Sequence, residues 1–565
     1  MIQEKASLSE GGGAAKPWRR ESSGGLLRDL EDSLSQPAAD SSLREGALPN
    51  ITFCKGTNMK RHQIIPLFLA LLLTLSACAG GPVPDPPGSA SSSGDVSQPE
   101  DPPPRAIPFT LAVYPEFSLH PTLAANRANL TLSPLLYEGL FAVDGSFQAQ
   151  PVLCKSYTVS EDKLVWTFTL QPGVTFSDGS PLTGQAVAEA LELARSPQGR
   201  YAQRLAGVAS VTASEEAPNQ VTVTLNRPDG SLPLLLDIPI ALGGGDRPAG
   251  TGPYVLSGEG SALSLTARSG WWQRDKALPF QTIPLHAVSK SDELIYAFDA
   301  GEVSLVDVDL MATNAMGYGG NYQAWDYPSP DLLYLGFNTQ KGPCRTPQVR
   351  QALARAVDRD TIAAVVYANH AVSTLLPVHP YSGLYSRTSA MPAFDPEGLG
   401  EEIEGLRLQN QTLVFLVNSE NVSKSSAAQR IAYQMEAAGL TVELRQLAFE
   451  DYAAALSAGE FDLYLGETVL TANFDLAPLL SSAGALNYGG WGDGETDGLL
   501  YAMHAASPEG KPAAAGALFA QLAEQVPIVP IAFKNGSVLT QWGRLSGLSP
   551  VRGNAFNGLE SWNVS

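Results

Sequence analysis

The chain has 565 residues and carries 57 Asp and Glu against 36 Lys and Arg, a formal net charge of −21 at pH 7. So large an acidic surplus argues against nucleic acid as a partner, because phosphate binding needs clustered Lys and Arg. The length exceeds what one hydrophobic core organises and predicts two or three folded units.

Residues 1–58 are rich in Gly, Ser and charge, with little apolar periodicity, and predict no packed core. Lys55-Gly56-Thr57-Asn58 can be encoded by AAR-GGN-ACN-AAY, which permits a purine-rich ribosome-binding sequence ahead of Met59. The expectation is that translation starts at Met59 and that 1–58 is a mis-read leader or a disordered extension. Lys60-Arg61, the apolar run Ile64–Leu75 and Leu75-Ser76-Ala77-Cys78 then follow in the order of a secretory signal peptide over 59–77. A cysteine straight after small residues resembles a lipobox, in which the thiol is diacylated and becomes the new N-terminus. Cys78 is therefore the expected lipidation site of a lipoprotein held outside the cytoplasmic membrane. No second apolar run reaches ~18 residues, so the lipid is the expected anchor.

Residues 78–108 are dominated by Gly, Pro, Ser and Asp and predict a disordered tether. Folded sequence is expected from Phe109, with Phe109–Tyr114 as a strand. Leu164–Leu170 alternates as a half-buried strand, Ser177–Ser180 is a turn, and Leu182, Val187, Ala190, Leu191 and Ala194 share one helical face. Val221–Leu225 alternates again and ends at the turn Pro228-Asp229-Gly230. Thr346-Pro347 opens a helix with Val349, Leu353 and Val357 on its stripe. Leu413–Val417 is continuously apolar, as a strand buried on both faces would be. A helix Ala427–Ala438 follows, stopped by Gly439. Then come the strand Thr441–Leu444, a helix near Asp451–Ala458 and the strand Phe461–Leu465. This is a βαβαβ unit, hence a parallel sheet. Cys154 and Cys344 could pair or stand as isolated thiols; spacing does not choose.

Several segments, in this order, resemble the family 5 solute-binding proteins of ABC importers, the group that carries oligopeptides, dipeptides and nickel complexes. They are Leu136-Tyr137-Glu138-Gly139-Leu140, Pro151–Ser160, Trp166-Thr167-Phe168, Gly173–Leu182 and Thr251-Gly252-Pro253-Tyr254. Val349–Leu353 with Asp358-Arg359, and Gly459–Leu463, complete the set. The resemblance implies an α/β, two-lobed periplasmic-binding-protein-like fold of type II, large peptide-binding subgroup. It implies an interlobe ligand cleft and two hinge crossings, near Tyr334–Asn338 and Val526–Phe533. Lobe I would comprise 106–334 plus 520–565, including a subdomain near 135–235, and lobe II would be 335–519. The implied function is capture of oligopeptides or dipeptides outside the membrane and delivery to a permease, by a monomer in the periplasmic space or its equivalent. A nickel or metal-complex binder of the same family, and an extracellular peptide receptor for signalling, stay open.

Ligands of open parallel sheets bind outside the carboxyl ends of the strands. Here those ends are Asn418-Ser419, Gln446–Glu450 and Gly466-Glu467. In peptide-binding relatives the loop after the last strand supplies an acidic residue for the peptide's ammonium, a charge-assisted pairing. This chain departs from that pattern, since Leu470 stands near the anchor position, so Glu467 or Asp475 replaces it or the ligand lacks an ammonium group. Asp475 could equally cap the helix-like Leu476–Leu480. Tyr114, Tyr488 and Trp491 are the aromatic candidates, the last two beside Gly489-Gly490.

Catalytic signatures are missing: no His is followed by Glu, and GxSxG and GxxxxGK[ST] are absent. No Cys pair has metal spacing, and His120, His286, His370, His379 and His504 are scattered; His379-Pro380 in a loop could project as a metal ligand, but a lone His is usually structural. The acid pair Asp307 and Asp309 is attributed to acidic surface composition. The expectation is a binding protein with no catalytic residues, resident metal or cofactor.

Overall fold

The computed structural model describes residues 108–313, 317–389 and 391–564. The leader, the signal peptide, Cys78 and all but the last residue of the proline-rich tether lie outside them.

The first strand, β1 (Leu111–Val113), is buried at every position. The chain then leaves the main sheet to build a subdomain. A hairpin of β2 (Phe141–Val143) and β3 (Ala149–Pro151) leads into β4 (Cys154–Val159) and β5 (Val165–Leu170). Helix α1 (Gly184–Arg195), β6 (Val208–Ser214) and β7 (Ala217–Leu225) complete it. The four longer strands form an antiparallel sheet in the order β4-β5-β7-β6. Thr183 caps α1 by accepting from Ala186 N, and the predicted stripe, Val187 to Ala194, faces the sheet as a buried core.

After the two-residue ladder β8 (Ala241–Leu242) and β9 (Ala249–Gly250), the chain returns to the main sheet. There it forms β10 (Tyr254–Ser257), β11 (Ser264–Ala267), β12 (Thr282–Ala287) and β13 (Leu305–Val308). The next strand, β14 (Tyr322–Phe337), is 16 residues long. Helix α2 (Pro347–Ala354) has Thr346 at its N-cap position, and Val349, Leu353 and Val357 are buried as its pattern requires. The short β15 (Ala371–Ser373) precedes the α/β unit, which runs β16 (Thr412–Asn418), α3 (Val422–Ala437), β17 (Thr441–Leu447), α4 (Phe449–Ala458) and β18 (Leu463–Val469). Register is parallel throughout that unit, Leu413 opposite Val442 and Phe415 opposite Leu463. Helices α5 (Gly494–Ala505) and α6 (Lys511–Gln525) lead into the 14-residue β19 (Ile528–Gln541).

The main sheet has the order β10-β11-β12-β1-β13-β19-β14-β18-β16-β17, with β15 attached to β19. The two expected crossing segments therefore lie side by side as the long antiparallel pair β14 and β19, Leu335 opposite Val529. On one side stands an N-terminal half, β10 to β13; on the other an α/β half, β16 to β18.

Of the boundaries that differ from expectation, two bear on the site. Helix α3 begins at Val422, because Asn421 accepts from Lys424 N and caps it; the polar first turn Ser423-Lys424-Ser425 hides the helical period. Strand β18 extends to Val469, because pairing with β14 from Phe337 to Asp331 carries it past its apolar run. Glu467 is thus a strand residue rather than the start of a loop. Gly439, at positive φ, ends α3 as read from sequence, and Gly459, also at positive φ, ends α4 in the same way. Cys154 and Cys344 are separate, buried free thiols.

The subdomain also touches the α/β half. Phe147, at the tip of the β2–β3 hairpin, packs 4.8 Å from Phe474 and 5.0 Å from His379, ring to ring. The turn after β7 inserts beside the end of α5: Gly230 N donates to His504 O at 3.1 Å. A Cβ on Gly230 would fall 1.7 Å from Ala506 O, so only glycine permits this approach. Lys511 Nζ donates to Ser231 Oγ at 2.5 Å, and Arg227 pairs with Asp475 at 3.3 Å.

A charged crevice at the strand ends

Strand β19 is apolar and buried from Ile528 to Phe533, and then presents Lys534. Its ammonium lies 2.6 Å from Glu467 Oε1, 3.0 Å from Asp331 Oδ2 and 3.2 Å from Asp309 Oδ2, with only 3% of the side chain exposed. Asp309 follows β13 in the N-terminal half, Asp331 belongs to β14, and Glu467 to β18 in the α/β half. One lysine therefore ties both halves together where the strands end. Asp331 reaches it because β14 breaks register between Pro328 and Asp331, an irregularity that re-aims the side chain opposite Lys534.

The electrostatics follow from three carboxylates sharing a half-buried space. Burial raises the Asp331 carboxyl, Lys534 opposes that, and the charges of Glu467 and Asp309 add to it, leaving it at about 7. Burial alone would lower Lys534, but the three carboxylates outweigh it and hold the ammonium charged far above the ordinary lysine range. Lys424, in the first turn of α3, is 8% exposed; burial lowers its pKa, with Glu467 the strongest influence in the other direction.

Not every polar atom here is satisfied. Asp331 Oδ1, Glu467 Oε2, Asn418 Oδ1 and the Tyr367 hydroxyl are buried without a hydrogen-bond partner among the described residues. Leaving a buried polar group unpaired costs on the order of 1–3 kcal/mol. Such a site can accept hydrogen bonds from a donor that the chain itself does not provide.

The other candidates are dispersed. Asp475 accepts from Ala477 N at the start of the short helix Ala477–Leu480 while pairing with Arg227. Tyr114 stands at the carboxyl end of β1, the same end as Asp309, with its ring buried against Phe117. Tyr488 stacks edge-on to Tyr464, and Trp491 lies under the Arg350 guanidinium. Both are near Phe337, at the amino end of β18, the opposite end from Glu467.

Sequence reasoning missed Lys534, Asp331 and Lys424. A lone lysine closing an eight-residue apolar run was the available signal for the first. Asp307 and Asp309 need correction: Asp307 accepts from Tyr327 and Arg127, and Asp309 holds Lys534, so neither is a free surface carboxylate. His379 is structural. It is fully buried among Phe147, Tyr381 and Phe533, and burial pushes its pKa down to about 4. A separate cavity of about 360 Å³ lies in the N-terminal half, lined by Leu136, Tyr137, Asp178, Arg247 and Tyr254 among others, away from the crevice. Among the described residues no three His, Cys, Asp or Glu side chains are placed to hold a metal, and no helix is long and apolar enough to cross a membrane.

Comparison with known proteins bears on this arrangement directly. The glutathione-binding protein GsiB of Salmonella paratyphi A is 26% identical over 360 residues, covering 60% of this chain and 68% of its own. NikA from Brucella suis, solved with Fe(III)-EDTA, superposes with a TM-score of 0.64 at 18% identity, over 82% of this chain and all of NikA. AppA from Bacillus subtilis, solved with a nonapeptide, gives 0.56 at 17% identity, over 81% and 98%. These likenesses establish the large mixed α/β fold of that group of binding proteins. The profile of the bacterial extracellular solute-binding proteins, family 5 Middle, matches residues 148–489, from the β2–β3 hairpin to Gly489, a span that holds Asp309, Asp331, Lys424 and Glu467 but not Lys534. The chain thus belongs to the family 5 bacterial extracellular solute-binding proteins.

Proposed function

We propose that this chain captures a small peptide-like solute in the crevice at the strand ends and delivers it to the permease of an ABC importer. In this reading residues 106–334 and 520–565 act as one lobe and 335–519 as the other. The ligand draws them together, and a lipid on Cys78 keeps the monomer at the membrane. The observation that carries the ligand class is the pair of unpartnered carboxylate oxygens on Asp331 and Glu467, set on both sides of the joint. A charge-assisted hydrogen bond from a peptide ammonium would satisfy them. The names of the relatives, glutathione-binding and nonapeptide-bound, support a peptide-like solute.

Calorimetric titration of a short peptide and its N-acetylated form tests this. Removing one partner of a desolvated charge pair costs on the order of 2–5 kcal/mol, about thirtyfold to several thousandfold in affinity. Glu467→Gln should weaken the free peptide by that much and leave the acetylated one nearly unchanged. Asp475→Asn is the matched control, because its carboxylate already has Arg227 and a helix start to serve. If neither substitution separates the two peptides, the ammonium is held elsewhere or the solute is not a peptide.

A further inference from the structure

Lys424 has no role in the account so far. It is nine-tenths buried, yet among the described residues its ammonium makes no ion pair and no hydrogen bond; its one specific neighbour is the Tyr452 ring, 5.5 Å away. An ammonium is strongly hydrated, and burying one without a counter-charge is costly. The position is well determined. Asn421 caps α3 through the Lys424 backbone N–H, and Ser425 Oγ donates to Asn418 O, so the first turn of the helix is pinned to the end of β16. Tyr452 is fixed too, donating its hydroxyl to Leu465 O two residues before Glu467. The unpaired ammonium and the unpaired Glu467 oxygen are therefore neighbours at the same strand ends, without contact between them.

Charge balance narrows what can enter. The crevice holds three carboxylates, Asp309, Asp331 and Glu467, and two ammonium groups, Lys534 and Lys424; Glu420 also acts on Lys424, but its carboxylate already accepts from Phe449 N and Asn418 Nδ2. Lys534 is saturated by its three partners. A purely cationic head would find Glu467 but would be repelled by Lys424; a purely anionic one would meet the reverse. The N-terminus of an ordinary α-linked peptide places a neutral carbonyl beside its ammonium and would leave Lys424 unanswered. A head with ammonium and carboxylate on one carbon answers both.

We infer that Lys424 binds a ligand carboxylate while Glu467 binds the ammonium beside it, so that the site selects solutes ending in a free α-amino-acid head, as γ-linked peptides do. This rests on the reading of the crevice as a site for peptide-like solutes, and it names a narrower class within that reading. The carboxylate would also meet Lys424 close to the N-terminus of α3, where the helix dipole favours negative charge.

Calorimetry with three probes decides. γ-Glutamyl-cysteinyl-glycine carries the whole head. Its 4-aminobutanoyl counterpart keeps the ammonium and lacks only the adjacent carboxylate. Trialanine is an ordinary α-linked peptide. The wild-type protein should prefer the first over the second by about thirtyfold or more, the range for a desolvated charge pair. Lys424→Met, which keeps the apolar stem, should bring that ratio close to one, and Lys424→Arg should keep most of it. A thermal melt of each variant reports folding; should Lys424→Met fail to fold, the wild-type ratio and the arginine variant still decide. Equal binding of the first two probes to the wild type overturns the inference, as does an undiminished ratio in Lys424→Met. Binding of trialanine without that preference leaves the peptide reading standing and removes only this one. Binding of none of the three removes both.

Discussion

Phe533 and Lys534 are consecutive residues of β19, so their side chains leave the sheet on opposite faces. On one face Phe533 joins an aromatic seam with His379, Phe474 and the hairpin tip Phe147, the rings 4.8 to 5.9 Å apart. On the other, Lys534 gathers three carboxylates. Both faces link the α/β half to another part of the molecule, but with opposite materials. Apolar packing stabilises by the surface it buries, and here it leaves one polar atom, His379 Nε2, without a partner among the described residues; it suits a contact whose only task is to hold. A buried ion cluster is a poor way to gain stability, because desolvation offsets much of its attraction. Its unpaired oxygens become useful only when a ligand reaches them. The face built of charge is the one that can respond to a solute.

That contrast can be broken most severely at Lys534. Lys534→Met leaves Asp309, Asp331 and Glu467 facing one another without their shared cation and should cost about 3–5 kcal/mol in urea unfolding at neutral pH. The loss should shrink toward pH 4, where Asp331, raised by burial and its neighbours, is protonated and no longer repels them. Phe147→Ala is the partner experiment on the aromatic face. It removes a buried ring at a cost of about 3 kcal/mol, the low end for such truncations because a hairpin tip can partly collapse into the space. Its cost should be flat above pH 6.5 and fall below that only through His379, whose burial Phe147 helps to provide. If the two variants show the same pH dependence, the crevice is not governed by charge.

The same contrast explains what the sequence could and could not disclose. The α/β unit was legible because its signals are local: the apolar run Leu413–Val417, and Gly439 as a helix stop. The end of β18 was not, because pairing with β14, 130 residues earlier in the chain, sets it. Glu467 was singled out from its place near a strand end, yet its neighbours Lys534, Asp331 and Asp309 come from three other segments that no spacing rule connects. His379 is structural, as a lone His usually is, but the partner that buries it, Phe147, lies more than 200 residues away and could not be read from the sequence. Local chemistry was readable; the convergence of distant side chains was not.

The finest difference between the two faces lies in the sign of their pH dependence. Asp331 has its carboxyl raised by burial and by Glu467 and Asp309 to about 7, above the unfolded value of 3.8. The folded state then binds more protons than the unfolded one between those values, so this group's contribution to stability falls as pH rises through the window. His379 is the opposite case. Burial lowers it from 6.5 to about 4, the unfolded state binds more protons between those values, and stability falls as pH drops through them. The two effects oppose each other between pH 4 and 6.5 and partly cancel in the wild type. Asp331→Asn, which mimics the protonated carboxyl, should expose the histidine's slope, with stability rising from pH 4 to 6.5. His379→Gln should expose the carboxyl's slope, with stability falling over the same range. Each slope is bounded at about 1.4 kcal/mol per pH unit for one proton. Urea midpoints measured at half-unit intervals of pH would resolve the difference curves. Parallel curves for the two variants would show that neither group titrates where its surroundings place it.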